Sequence, residues 1–110
     1  MGDYAASGGV YISTPADYIF AHPTTITGSI GVAIAFLTTE DSLEYIGISK
    51  DGVQTSKFAG WTPELPVTEE LDNIFNNLAE RSYQRFLEVV SEKRKKDVSE
   101  INKIAGGRVW

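Results

Sequence analysis

A chain of 110 residues, 42% hydrophobic and 23% charged, carries enough apolar material for one core and not for two. Its formal charge of −5, with Lys93-Arg94-Lys95-Lys96 as the one basic cluster, argues against a nucleic-acid partner. Cysteine is absent, which removes disulfide and thiol chemistry, and no residues show metal-ligand spacing, so neither metal nor cofactor is expected.

Residues 1–6 read as the end of a strand and 7–14 as a helix opening at Ser7. Gly8 and Gly9 in that first turn weaken the helix, a cost more readily tolerated for function than for stability. Tyr18-Ile19-Phe20-Ala21, closed by His22-Pro23, predicts a short buried strand. Ile30 to Leu37 is nearly continuously apolar and predicts a second strand covered on both faces. A short helix is expected from Thr39 as N-cap to Gly47 just past its end, with Glu40 and Asp41 in its first turn. Ile48-Ser49 and Gly52 to Thr55 predict a further broken strand. Phe58 to Pro66, with Gly60, Pro63 and Pro66, must be a loop.

A long helix should follow Thr68. Leu71, Ile74, Phe75, Leu78, Ser82, Phe86, Val89 and Val90 recur at three- and four-residue steps and form its apolar stripe. Glu80, Arg81, Gln84, Arg85 and Glu88 fall on its other, solvated face. A last helix is expected from Asp97, with Glu100 as capping-box partner, to Gly106. The lysines and arginine at 93–96 read as cations at a helix C-terminus. Strands alternating with helices in this order predict an α/β fold.

The chemistry centres on Ala5-Ala6-Ser7-Gly8-Gly9. A serine between small residues can stand bare at a strand-to-helix turn, where a substrate carbonyl can approach and the Gly8 N–H can point at it. Taken alone, the run reads as a glycine-rich bend with a solvated or capping hydroxyl. A nucleophilic serine needs a base, and the chain offers a single histidine, His22, whose place before Pro23 suits a loop. A lysine is the natural alternative. Asp3 and Asp17 read as caps or surface groups.

The longer string from Met1 through Ser13, with Ala16-Asp17 and Pro23-Thr24-Thr25-Ile26-Thr27-Gly28-Ser29-Ile30-Gly31-Val32, closely resembles bacterial signal peptide peptidase A, a membrane-associated serine protease family with a Ser-Lys dyad. The likeness extends to Lys103-Ile104-Ala105-Gly106-Gly107-Arg108-Val109-Trp110. It implies the Clp protease/crotonase-like α/β fold, with Ser7 as nucleophile and the Gly8 amide as an oxyanion donor. It places the general base at Lys57 and gives the Ser29 hydroxyl the task of holding the lysine amine. A lysine amine titrates near 10.4 in water, so a base lysine needs burial, which Phe58, Ala59 and Trp61 could supply. A cleft lined by Val10, Tyr11, Ile30 and Val32 would take small apolar side chains.

The resemblance further implies remnant signal peptides as substrates, assembly into homo-oligomers, and a catalytic domain on the extracytoplasmic side of the bacterial inner membrane. The chain reads as a piece of a longer protein, with its anchor and a second oxyanion donor upstream. Longer members duplicate the domain and take lysine and serine from different copies, which leaves the base open between Lys57 and another domain. Two rival readings are a crotonase-like enzyme binding acyl-CoA and a non-catalytic assembly module.

Overall fold

The computed structural model describes residues 1–110, with helices and short strands mixed along the chain. It divides into two compact units, residues 1–33 with 78–110, and residues 34–77.

In the first unit, strands β1 (Tyr4–Ala6) and β2 (Ile26–Gly28) lie parallel, with Tyr4 opposite Ile26 and Ala6 opposite Gly28. Helix α1 (Gly8–Ser13) lies in the connection between them. The C-terminal residues line the other edge of β2. Thr27 and Trp110 exchange N–H···O bonds of 2.9 and 3.0 Å, and the Ser29 N–H donates to the Arg108 carbonyl. This antiparallel pairing requires close backbone approach. A Cβ on Gly28 would lie 2.6 Å from Trp110 Cδ1, and one on Gly31 would lie 2.8 Å from the Gly107 nitrogen. At both positions any larger residue would force the neighbouring chain to shift.

Helix α3 (Glu69–Arg94) enters this unit at Leu78, and α4 (Val98–Ile104) completes it. Val10, Ile30, Phe86, Leu87, Val90, Ile101 and Ala105 form one core cluster, with Tyr83 and Val98 packed against it. Full burial of a leucine or isoleucine side chain contributes about 1.5–3 kcal/mol. Leu87 and Ile101, at 1% and 2% exposure, gain nearly the whole of that contribution. Thr14 is buried as well, and its hydroxyl is satisfied by the Val10 carbonyl at 2.7 Å. The Arg108 guanidinium donates to the carbonyls of Lys103 and Ala105 and closes the C-terminus of α4.

The second unit is held differently. Helix α2 (Glu40–Tyr45) carries Glu40 and Asp41 in its first turn, as expected. It ends at Gly47, φ 75°, where the Ile48 N–H reaches the Leu43 carbonyl and the Gly47 N–H the Glu44 carbonyl. That pair of bonds is the Schellman arrangement, which needs a left-handed residue at this place. Phe36, Trp61 and Phe75 form an aromatic group with centroids 4.3–6.1 Å apart. The Trp61 indole N–H donates to the Pro66 carbonyl at 3.2 Å. Lys50 donates to both Thr62 and Glu64. Hydrogen bonds from Lys50 and then Thr62 lower the Glu64 carboxyl from 4.5 to about 2.

Several expectations need correction. Residues 18–21, 30–37 and 48–55 are not strands. No backbone hydrogen bond of the loop network involves residues 31–38, and a strand without a neighbour has no ladder to define it. The stripe of α3 also differs. Leu71, Phe86 and Val90 are buried, but Ile74 and Leu78 are exposed, and Leu87, absent from the expected stripe, is the most buried of the apolar residues of α3. Neither Thr39 nor Asp97 makes a side-chain cap bond, although both stand at the helix starts anticipated.

Candidate active site

Ser7 occupies the junction of β1 and α1. Its N–H donates to the Gly28 carbonyl at 2.8 Å as the last rung beside β2, and its carbonyl accepts from Tyr11 as the first turn of α1. Bridging a strand and a helix without an intervening loop forces an unusual backbone, φ 50° and ψ −111°. A non-glycine residue in that region costs of order 1–3 kcal/mol and persists when the surroundings impose it. Its hydroxyl does not cap the helix, so it is left available. The Gly8 N–H lies in the first helical turn, where amides have no intrahelical partner. A Cβ at Gly8 would meet nothing within 4 Å, and Gly8 lines one of the hollows beside Ser7.

Two hollows of the first unit meet at Ser7. One, about 460 Å³, is lined by Ser7, Gly8, Tyr11, Val32, Phe86 and the arginines 81 and 85 among others. Tyr11 and Phe86 stack edge to face there at 5.0 Å. The other, about 650 Å³, is lined by Ser7, Ser29, Tyr83 and the glycines at 31, 106 and 107 among others. The Tyr83 hydroxyl bonds Asn102 Oδ1 at 2.6 Å and accepts from the Gly106 N–H, which fixes that wall.

Of the residues singled out in the sequence, the first unit brings together Ser7, Gly8, Tyr11, Ser29 and Val32 around these hollows. Ser29 shares the positive φ of Ser7, at 51°. Val10 and Ile30 are corrected: both turn into the core instead of lining a cleft. They immediately precede Tyr11 and Gly31, and adjacent residues point to different sides.

Lys57 belongs to the second unit. Its side chain is 67% exposed and its ammonium pairs with Glu70, with the Phe58 ring centroid 5.8 Å away. The burial expected from Phe58, Ala59 and Trp61 is therefore not present around it. Sequence reasoning also missed Arg81, Arg85 and Tyr83 as lining residues. The two arginines stand one turn apart on the expected solvated face of α3, and no helical spacing to Phe86 marks that edge as bordering the hollow.

With this geometry in view, comparison with known proteins is decisive. The model of Peptidase family S49 matches residues 1–110. The chain belongs to that family. It is 44% identical over its whole length to Protease 4 of Haemophilus influenzae and 44% identical to Protease 4 of Salmonella typhi, covering 18% of each. It is also 37% identical to the chloroplastic serine protease SPPA of Arabidopsis thaliana, covering 16% of that protein. The chain thus spans less than a fifth of the length of these relatives. No helix is long and apolar enough to cross a membrane.

Proposed function

We propose that this chain carries the nucleophile of a serine endopeptidase of the signal peptide peptidase A type, on a Clp protease/crotonase-like fold. The observation that carries the reading is Ser7 itself: a strained serine with an uncommitted hydroxyl, set between two hollows and followed by an open amide. The Ser7 oxygen attacks a peptide carbonyl while a neutral lysine amine takes its proton. The Gly8 N–H donates to the resulting oxyanion. Collapse of the intermediate expels the peptide amine, which takes the proton back from the lysine, and water then hydrolyses the Ser7 ester.

Substrates are extended peptides, remnant signal peptides among them, with small apolar side chains against Tyr11 and Val32. Ser29 is the group proposed to hold the lysine amine. The enzyme works as a homo-oligomer on the extracytoplasmic face of the bacterial inner membrane. Lys57 is the base this chain itself offers, and to act it must leave Glu70 and become desolvated.

A fluorophosphonate probe tests the nucleophile. Labelling of the full-length protein at Ser7, lost in Ser7→Ala, is the expected result. A protein that binds an acyl thioester through backbone amides alone would stay unlabelled, and that outcome sinks the peptidase reading. Lys57→Ala then assigns the base. Loss of about 10²–10⁴-fold in turnover makes Lys57 the proton acceptor. Activity within a few-fold of the parent gives that task to a lysine elsewhere in the assembly.

A further inference from the structure

The hollow of about 460 Å³ beside Ser7 holds two cations and no carboxylate. Its arginines, Arg81 and Arg85, stand one helical turn apart on α3, so both project to one side of the helix. This runs against the composition of the chain, in which 15 acidic residues outnumber 10 lysines and arginines. Arg85 is partly neutralised by Glu88 at 3.3 Å. Arg81 enters none of the ion pairs. The carboxylate next to it in sequence, Glu80, is taken by the Gln84 amide at 2.8 Å.

Arg81 thus presents a guanidinium, five donors in a planar fork, with no acidic partner from the protein. The remaining wall combines the apolar Tyr11, Val32 and Phe86 with Ser7, Ser82 and two glycines, and its apolar part strengthens a charge-assisted bond formed beside it. A planar, bidentate carboxylate is the ligand that matches this fork.

We propose that Arg81, assisted by Arg85, is a specificity residue that binds a carboxylate of the peptide whose carbonyl meets Ser7. The inference rests on the peptidase reading above and names one substrate feature it selects. The carboxylate belongs either to an acidic side chain or to the free C-terminus of a short peptide. Because the guanidinium is partly solvated, the preference amounts to roughly 3- to 10-fold in affinity, and added salt weakens it.

The test reads binding without turnover, using the full-length Ser7→Ala protein and fluorescent apolar peptides. One arm carries a single Glu or Gln at each position in turn, and a second compares free with amidated C-termini. The expected result is a 3- to 10-fold tighter affinity for the carboxylate member of one arm, which also identifies its source. Arg81→Gln should bring that ratio close to one, and Arg81→Glu should reverse it. Both changes sit on an exposed helical position and leave the core intact. Ratios near one in both arms, or a ratio unmoved by Arg81→Gln, overturn the proposal. Failure of Ser7 to take the fluorophosphonate label is a separate readout and bears on the peptidase reading alone.

Discussion

Seven of the eight buried apolar side chains lie in residues 1–33 and 78–110, whereas residues 34–77 contribute Leu71 alone. The first unit is a packed core under a small sheet, with the candidate nucleophile at its strand–helix junction. The second relies on an aromatic group, a capped short helix and the exposed pairs Lys50–Glu64 and Lys57–Glu70. Strain of the kind seen at Ser7 needs rigid surroundings to impose it. The first unit can hold a serine at φ 50°, and the second has much less buried surface with which to hold a lysine in place. The proposed nucleophile therefore sits in a preorganised site, and the proposed base does not.

The sharpest way to break this contrast is to empty the core. Leu87→Ala should destabilise the protein by about 2–5 kcal/mol, since removing a fully buried leucine side chain leaves a cavity in the core cluster. Val53→Ala, in the exposed part of the second unit, should stay within about 0.5 kcal/mol. Urea unfolding monitored by circular dichroism measures both. Equal effects would mean that stability is not concentrated where the buried area is.

The same contrast explains what could be read from sequence. Helix starts at Ser7, Thr39, Thr68 and Asp97 and stops at Gly47 and Gly106 were legible because caps and left-handed glycines are local signals. The apolar runs at 18–21 and 30–37 were misread because a strand is a property of two segments, and periodicity in one says nothing about a partner. For the same reason the pairing of Thr27 with Trp110 was invisible. Ser7, Gly8 and Ser29, which border the hollows, stand in glycine-bearing motifs visible in the sequence. Arg81 was missed because a charge on the polar side of a helical stripe usually faces water. Leu87 fell just beside that stripe, yet it joins the core cluster with Ile101 and Ala105.

Close backbone approach in the first unit gives the next effect. Gly31→Ala places a methyl 2.8 Å from the Gly107 nitrogen, where the Gly107 N–H bonds the Ile30 carbonyl. Backbone cannot yield as a side-chain tip can, so a loss of about 1–3 kcal/mol is expected. Hydrogen exchange should speed up at Gly107 and Ser29 and leave Gly47, in the second unit, unchanged. Uniform acceleration would show that the two units open together.

Acid should act on the second unit first. The folded Glu64 carboxyl titrates at about 2, below its ordinary 4.5, because Lys50 and then Thr62 hydrogen-bond its charged form. A depressed carboxylate stabilises the fold fully above pH 4.5, and that contribution disappears as the pH falls toward 2. The pair is exposed, so the effect is modest and should diminish in high salt. Trp61 fluorescence in a Trp110→Phe background should report loosening of the second unit across that window. Glu64→Gln should abolish this pH dependence. An identical acid profile in the variant would remove the pair from the account.

The smallest effect compares one device in both units. Helices α2 and α3 end with the same bonds: Ile48 N–H to Leu43, and Lys96 N–H to Ser91. The residue at the turn is Gly47 in the second unit and Lys95, at φ 53°, in the first. Glycine adopts that conformation without steric cost, whereas a residue with a Cβ gives up about 1 kcal/mol. Lys95→Gly should therefore raise stability by about 0.5–1 kcal/mol, and Gly47→Ala should lower it by a similar amount. Thermal unfolding of the two single variants measures the signs. If unfolding is cooperative across the chain, the two shifts should be opposite and comparable. If the second unit melts alone, Gly47→Ala will move only the Trp61 signal, and Lys95→Gly will leave that signal where it was. That outcome would carry the contrast between the units from their packing into their unfolding.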